Sequence, residues 1–170
     1  MRTPKLFALP FVLAMAAGVA MGQTAKRSFT LVISADSSIV KQGSPISIKI
    51  ELRNISDHNI GWTMAPGGDL HGEIIGFPPI LRDVQGREPP LTKWGRKVLG
   101  RGGAPDDAPL VRNAVFRYEM PPGKVMKTEI RLDEVYDLTS PGKYTIQVSH
   151  YDEDNKEEAK SNTLTITVTP

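Results

Sequence analysis

The chain has 170 residues, with 21 Lys and Arg against 19 Asp and Glu, a formal charge of +2 and no cysteine. That length suffices for one well-buried domain, and the missing cysteines exclude disulfide staples, thiol chemistry and cysteine–zinc centres. The near-neutral charge gives no electrostatic ground for nucleic-acid binding.

The N-terminus reads as a secretory signal. Arg2 and Lys5 form a positive region, Leu6 to Ala20 an apolar core, and Ala20-Met21-Gly22 a small-x-small cleavage site. Cleavage is expected after Gly22, leaving residues 23–170 as a single secreted or periplasmic domain. An uncleaved N-terminal anchor is the alternative, although the run is short for a span and Pro10 interrupts it. No cysteine follows for a lipid anchor, and no later segment is apolar enough to cross a membrane. Loss of Arg2 and Lys5 leaves 19 basic residues against 19 acidic ones, so the mature chain carries no net charge.

From Ser28 onward the hydrophobic period is two. Phe29, Leu31 and Ile33 predict a first strand. Ile46, Ile48, Ile50 and Leu52 alternate with Ser47, Lys49, Glu51 and Arg53 after Gly43-Ser44-Pro45, a half-buried strand of antiparallel type. Asn54 to Asn59 reads as a turn and Ile60 to Met64 as a third strand. Trp62 falls where an immunoglobulin-type sandwich keeps a core tryptophan. Ala65 to Pro79, rich in Gly and Pro, is a loop. Leu81 to Val84 and Pro90 to Trp94 flank Gln85-Gly86-Arg87 as a predicted hairpin.

Gly95 to Pro109 reads as a long structureless segment, the kind that is often functional. Its surroundings supply the candidate binding residues Trp94, Arg96, Lys97 and Arg101, with Asp69 and His71 from the preceding loop. A solvated loop without a partner is the plainer reading of this composition. Val115 to Tyr118 predicts a short strand, and Met120 to Lys124 a Pro-Gly turn. Met126, Thr128, Ile130 and Leu132 then alternate with polar residues in another strand. Asp133 to Leu138 is a connector with room for one helical turn.

Ser140-Pro141-Gly142-Lys143 suits a type II turn with Gly142 at positive φ. It launches a strand with Tyr144, Ile146 and Val148 facing inward. Asp152 to Lys160 is a polar loop, and Leu164, Ile166 and Val168 mark the last strand. Seven to nine short strands without a long helical period predict an all-β, immunoglobulin-like antiparallel β-sandwich.

Little in the chain suggests catalysis. His58, His71 and His150 lie in or beside loops without helical metal spacing, and there is no Gly-x-Ser-x-Gly elbow. Asp152-Glu153-Asp154-Asn155 invites a weak calcium site at Asp152 and Asp154, but Lys156 and Glu157 break the calcium-loop pattern, and a solvated hairpin tip is the simpler reading. No cofactor is expected.

Two resemblances follow from these residues. Gly142, Tyr144 and Ile146 resemble the tyrosine corner of immunoglobulin-type sandwiches, with Ile146 in place of the buried cysteine. This implies that the Tyr144 hydroxyl bonds to backbone just upstream, within 133–138. Leu52-Arg53-Asn54-Ile55-Ser56, Asp83-Val84-Gln85-Gly86-Arg87, Pro121-Pro122-Gly123, Val135-Tyr136-Asp137-Leu138 and Pro141-Gly142-Lys143-Tyr144 together resemble a second pattern. It is the immunoglobulin-like N-terminal domain of bacterial relatives of the deuterolysin and peptidyl-lysine metallopeptidases. The resemblance implies a propeptide or accessory module. The chain has no His-Glu-x-x-His, so zinc peptidase activity does not carry over. The expectation is a monomeric, non-enzymatic domain that binds a protein or cell-surface partner, with a protease among the candidates.

Overall fold

The computed structural model describes residues 27–64, 76–102 and 116–170, apart from the side chains of 62–64 and 116–117. The proposed signal, Asp69 and His71 therefore lie outside the described residues. Those described form ten strands: β1 (Phe29–Ser34), β2 (Ile39–Lys41), β3 (Ser47–Asn54), β4 (Ile60–Met64), β5 (Pro79–Arg82), β6 (Phe116–Met120), β7 (Val125–Arg131), β8 (Gly142–Asp152), β9 (Glu157–Lys160) and β10 (Leu164–Thr169). They also include two short helices, α1 (Lys93–Val98) and α2 (Leu132–Val135).

One sheet has the order β1-β3-β7, fully antiparallel. The other runs β2-β10-β8-β5, with β9 also paired to β8, and only the β2–β10 pair in it is parallel. This is an immunoglobulin-like β-sandwich. Its interior is the alternation read in the sequence: Ile48, Ile50 and Leu52 from β3, Ile130 from β7, Tyr144, Ile146 and Val148 from β8, and Ile166 and Val168 from β10 form one buried cluster. Each fully buried aliphatic side chain contributes about 1.5–3 kcal/mol by leaving water.

The structure departs from the sequence reading at several places, β9 forming within the predicted Asp152–Lys160 loop among them. The 81–94 hairpin does not form: β5 pairs with β8, and Leu91 bridges to Tyr136 instead. Asp83 does close the turn, accepting backbone N–H groups of Gln85 and Arg87 on its Oδ1. Gly142 is not among the residues at positive φ and is already the first residue of β8, paired with Val168. The positive φ belongs to Gly123, at +74°, where Lys124 N–H donates to the Pro121 carbonyl across the turn. The stretch read as structureless from Gly95 instead opens inside a helix, because α1 occupies 93–98, and the part of it beyond 102 lies outside the described residues. Finally, β4 pairs only with β6, in a separate two-stranded sheet, and the strand beside β8 is β5, with fully buried Leu81. Trp62 lies on β4 opposite Tyr118, and its side chain is outside the described residues.

Candidate functional site

The basic residues singled out around 94–101 sit on a shoulder built by α1 and α2. Thr92 caps α1: its Oγ1 accepts the Gly95 N–H at 2.8 Å and donates to the Glu134 carbonyl. One side chain thus starts one helix and ties it to the other. Trp94 packs, partly buried, against the core. Arg96 donates from Nη1 to the Leu91 carbonyl at 3.0 Å. Lys97, in the last turn, complements the helix dipole. These residues form an ordered, largely internally engaged frame.

Beyond α1, Gly100 takes φ +65° and turns the chain so that Arg101 reaches Glu88. Arg101 Nη1 lies 2.7 Å from Oε1 and 2.8 Å from Oε2 of that carboxylate. Arg82 lies 3.8 Å from the same carboxylate. Beneath it the buried Tyr136 hydroxyl is 2.8 Å from the Pro79 carbonyl and 3.1 Å from Glu88 Oε1, two acceptors for one proton. Burial, reinforced by the Glu88 charge, pushes this phenol well above its ordinary range. Tyr136 acts as a hydrogen-bond donor here. Sequence reasoning missed Glu88 and Tyr136, because the partners come from segments nearly fifty positions apart.

Beside this cluster lies an open recess lined by Asp83, Glu88, Pro89, Pro90, Asp137 and Tyr144. Tyr144 donates its hydroxyl to the Ser140 carbonyl at 2.8 Å, so its acceptor lies within the turn and not in the 133–138 connector. Burial raises the Tyr144 pKa, with Asp83 and Asp137 adding to it. Burial also pushes the Asp83 carboxyl up, but the Arg87 backbone and guanidinium, with the Gln85 N–H, outweigh it and leave the pKa lowered.

The carboxylates proposed for calcium face different ways. Asp152 is buried and accepts from Ser28 N–H at 3.0 Å, Asp154 N–H at 3.1 Å, Asn155 N–H at 3.2 Å and Asn155 Nδ2 at 2.9 Å. Asp154 instead meets His58 Nε2 at 3.0 Å, while Asp57 takes His58 Nδ1 at 2.9 Å. Among the described residues no group of three or more His, Cys, Asp or Glu is placed to hold a metal. His150 is packed by Phe77, stacked at 4.8 Å, and by Phe29, edge-on at 5.3 Å, with Nδ1 2.8 Å from the Gly76 carbonyl.

At the other candidate region, β4 and β6 form a ribbon in which Met64 pairs with Phe116. The chain leaves the ribbon at Met64, just before the predicted 65–79 loop, and re-enters it at Phe116, a few residues after the predicted 95–109 loop, so the ribbon ends next to the two loops are neighbours. No family model matches this chain, and no curated protein matches it. Among solved structures it is similar to a CARDB domain from Pyrococcus furiosus, crystallised in complex with di-metal ions. The identity is 10% and the TM-score 0.44, with 84% of this chain and 89% of that one covered. It is also similar to part of a β-glucosidase from Listeria innocua, at 14% identity and TM-score 0.42 over 85% of this chain. A β-glucosidase from Erythrobacter marinus gives 15% and 0.39 over 84%. In both glucosidases the likeness spans only 16% of the enzyme. The immunoglobulin-like assignment rests on strand order and burial. Among the described residues no helix is long and apolar enough to cross a membrane.

Proposed function

We propose that this chain is a secreted or periplasmic, non-catalytic immunoglobulin-like module that binds a protein or cell-surface partner through the loops carried by its β4–β6 ribbon. The observation behind this reading is the Met64–Phe116 pair, which brings the attachment points of segments 65–75 and 103–115 together. Arg101, clamped to Glu88, adds a fixed point just before the second segment. A scaffold of this kind contributes affinity by holding its loops ready rather than by chemistry.

The test replaces 65–75 and 103–115 by Gly-Ser linkers of equal length. Partner capture by the immobilised domain should be lost while the melting temperature stays unchanged. Capture that survives both replacements removes the proposal. N-terminal sequencing of the exported protein should begin at Gln23, and a retained Met1 would argue for an anchor.

A second reading, a relative of a metallopeptidase propeptide, is favoured by the motif run from Leu52 to Tyr144. It predicts stoichiometric inhibition of a secreted metallopeptidase. Titration of such enzymes without loss of activity would count against it.

A further inference from the structure

Side chains close three of the sheet edges. On β1, Ile33 N–H donates to Asn162 Oδ1 at 2.8 Å and its carbonyl accepts from Asn162 Nδ2 at 3.1 Å, so one amide stands in for a neighbouring strand. On β2, the Ser37 hydroxyl accepts the Ile39 N–H at 3.1 Å and donates to its carbonyl at 2.6 Å. On β5, Pro79 has no N–H to offer, its carbonyl faces the Tyr136 hydroxyl, and the Leu81 carbonyl accepts from Arg82 at 2.8 Å. Such devices keep edge strands from pairing with other chains.

The outer edge of β7 is different. Leu132 N–H donates to the Ile46 carbonyl at 2.8 Å, and Asn54 N–H to the Lys124 carbonyl at 3.0 Å. With the antiparallel register, this sets the alternation. Met126, Thr128 and Ile130 direct their backbone groups toward β3. Val125, Lys127, Glu129 and Arg131 direct theirs outward, and no described residue closes that edge as the other three are closed.

We propose that this edge receives a second copy of the same chain, β7 against β7, antiparallel about a two-fold axis through Thr128. The occupant is argued from charge. With Thr128 opposite itself, the outward backbone groups of Lys127 fall opposite those of Glu129 of the second copy, and the same pair recurs across the axis. Both side chains are exposed on the outer face. Opposite charges facing each other across antiparallel strands are favourable, and like charges are unfavourable. The two three-stranded sheets become one six-stranded sheet. A seven-residue edge makes a small contact, so the association is weak and concentration-dependent. The proposal differs from the monomer expected from the sequence.

Sedimentation of residues 23–170 across micromolar to near-millimolar concentrations tests the proposal. A reversible dimer, weakened by salt, is expected. Lys127→Glu sets glutamates against glutamates and Glu129→Lys sets lysines against lysines, so each should weaken the dimer by about tenfold or more. The double exchange restores opposite charges in this register and should restore the dimer. Lys127 also lies 3.3 Å from Glu51, but with its side chain 76% exposed. Glu129 in turn lies opposite Lys49 within the sheet, so each reversal also sets like charges across β3 and β7. Exposed pairs of this kind contribute little to stability, so thermal melts of each variant, run beside the sedimentation, separate loss of pairing from loss of fold. A monomer throughout, or a dimer indifferent to the single reversals, overturns the proposal. So does a double exchange that fails to recover the dimer.

Discussion

Gly95 in α1 packs so closely on α2 that a Cβ added to it would lie 1.9 Å from the Val135 carbonyl oxygen. The obstacle is backbone and cannot rotate away. α2 is itself pinned, because the Val135 carbonyl accepts the Thr92 N–H at 3.0 Å. Gly95→Ala should therefore cost about 3 kcal/mol, at the upper end for overpacking, read as a lower urea midpoint. Gly86→Ala is the control. Its φ is +76° but its Cβ would meet nothing within 4 Å, so only left-handed strain of about 1 kcal/mol is expected. Equal costs at the two sites would contradict the α1–α2 packing.

The two buried tyrosines should respond unequally to loss of a hydroxyl. Tyr144→Phe frees the carbonyl of Ser140, which is exposed and can take water instead, so about 0.5–1 kcal/mol is expected. Tyr136→Phe strips a donor from the carbonyl of buried Pro79 and from Glu88, and should cost about 1–3 kcal/mol. Chemical denaturation of both variants reads the difference. A larger loss at Tyr144 would place the more important bond at the corner and not under the shoulder.

Asp152 joins the β8–β9 turn to the start of β1, and its removal should be felt beyond the turn. Asp152→Ala leaves the N–H of buried Ser28 without its acceptor, for an expected loss of about 3 kcal/mol. Asp152→Asn keeps one acceptor oxygen and should fall between. Burial pushes this carboxyl up, but the Asn155 amide and the Ser28 N–H prevail and lower its pKa. A lowered folded pKa means stability present above the unfolded value, about 3.9, and lost as the pH falls through the folded one. The acid limb of a melting-temperature profile should be steeper in the parent than in Asp152→Asn.

What the sequence made legible was alternation. β3, β7, β8 and β10 each bury one face, and period two reports that face wherever it occurs. Pairing across long separations was not legible: nothing local in Pro90-Leu91-Thr92 indicates that Leu91 bridges to Tyr136 and not to the strand just before it. α1 was hidden for a related reason. Its six residues are too few to show a helical period, and its central Gly95, present for close packing against α2, reads as a loop signal. The Pro-Gly turns show the same limit, since identical dipeptides yielded positive φ at Gly123 but a strand start at Gly142. Among the candidate binding residues, the positions of Trp94, Arg96 and Arg101 were readable. Their engagement with the core, Leu91 and Glu88 was not, because those partners are set by the tertiary fold.

The two described histidines should give opposite pH dependences. Burial lowers the pKa of His150, and the Gly76 carbonyl and the charges of Asp152 and Glu153 only partly offset it. The unfolded chain therefore takes up a proton more readily than the fold at this site. Its stability contribution is complete above the unfolded value of about 6.5 and is lost as the pH falls through the folded value. His58 runs the other way: hydrogen bonds to Asp57 and then Asp154 raise its pKa, so its contribution is complete below about 6.5 and fades as the pH rises through the folded value. His58 is solvent-exposed, so its slope is the shallower of the two. In His150→Phe, which keeps a ring against Phe77 and Phe29, the fall in melting temperature between about pH 6.5 and 5 should flatten. In His58→Gln that fall should stay as in the parent, and the change should appear above about pH 6.5, where the parent's loss of stability with rising pH should flatten. A parent profile unchanged by His150→Phe below about pH 6.5 would mean that the His150 ring is not held neutral in the folded protein.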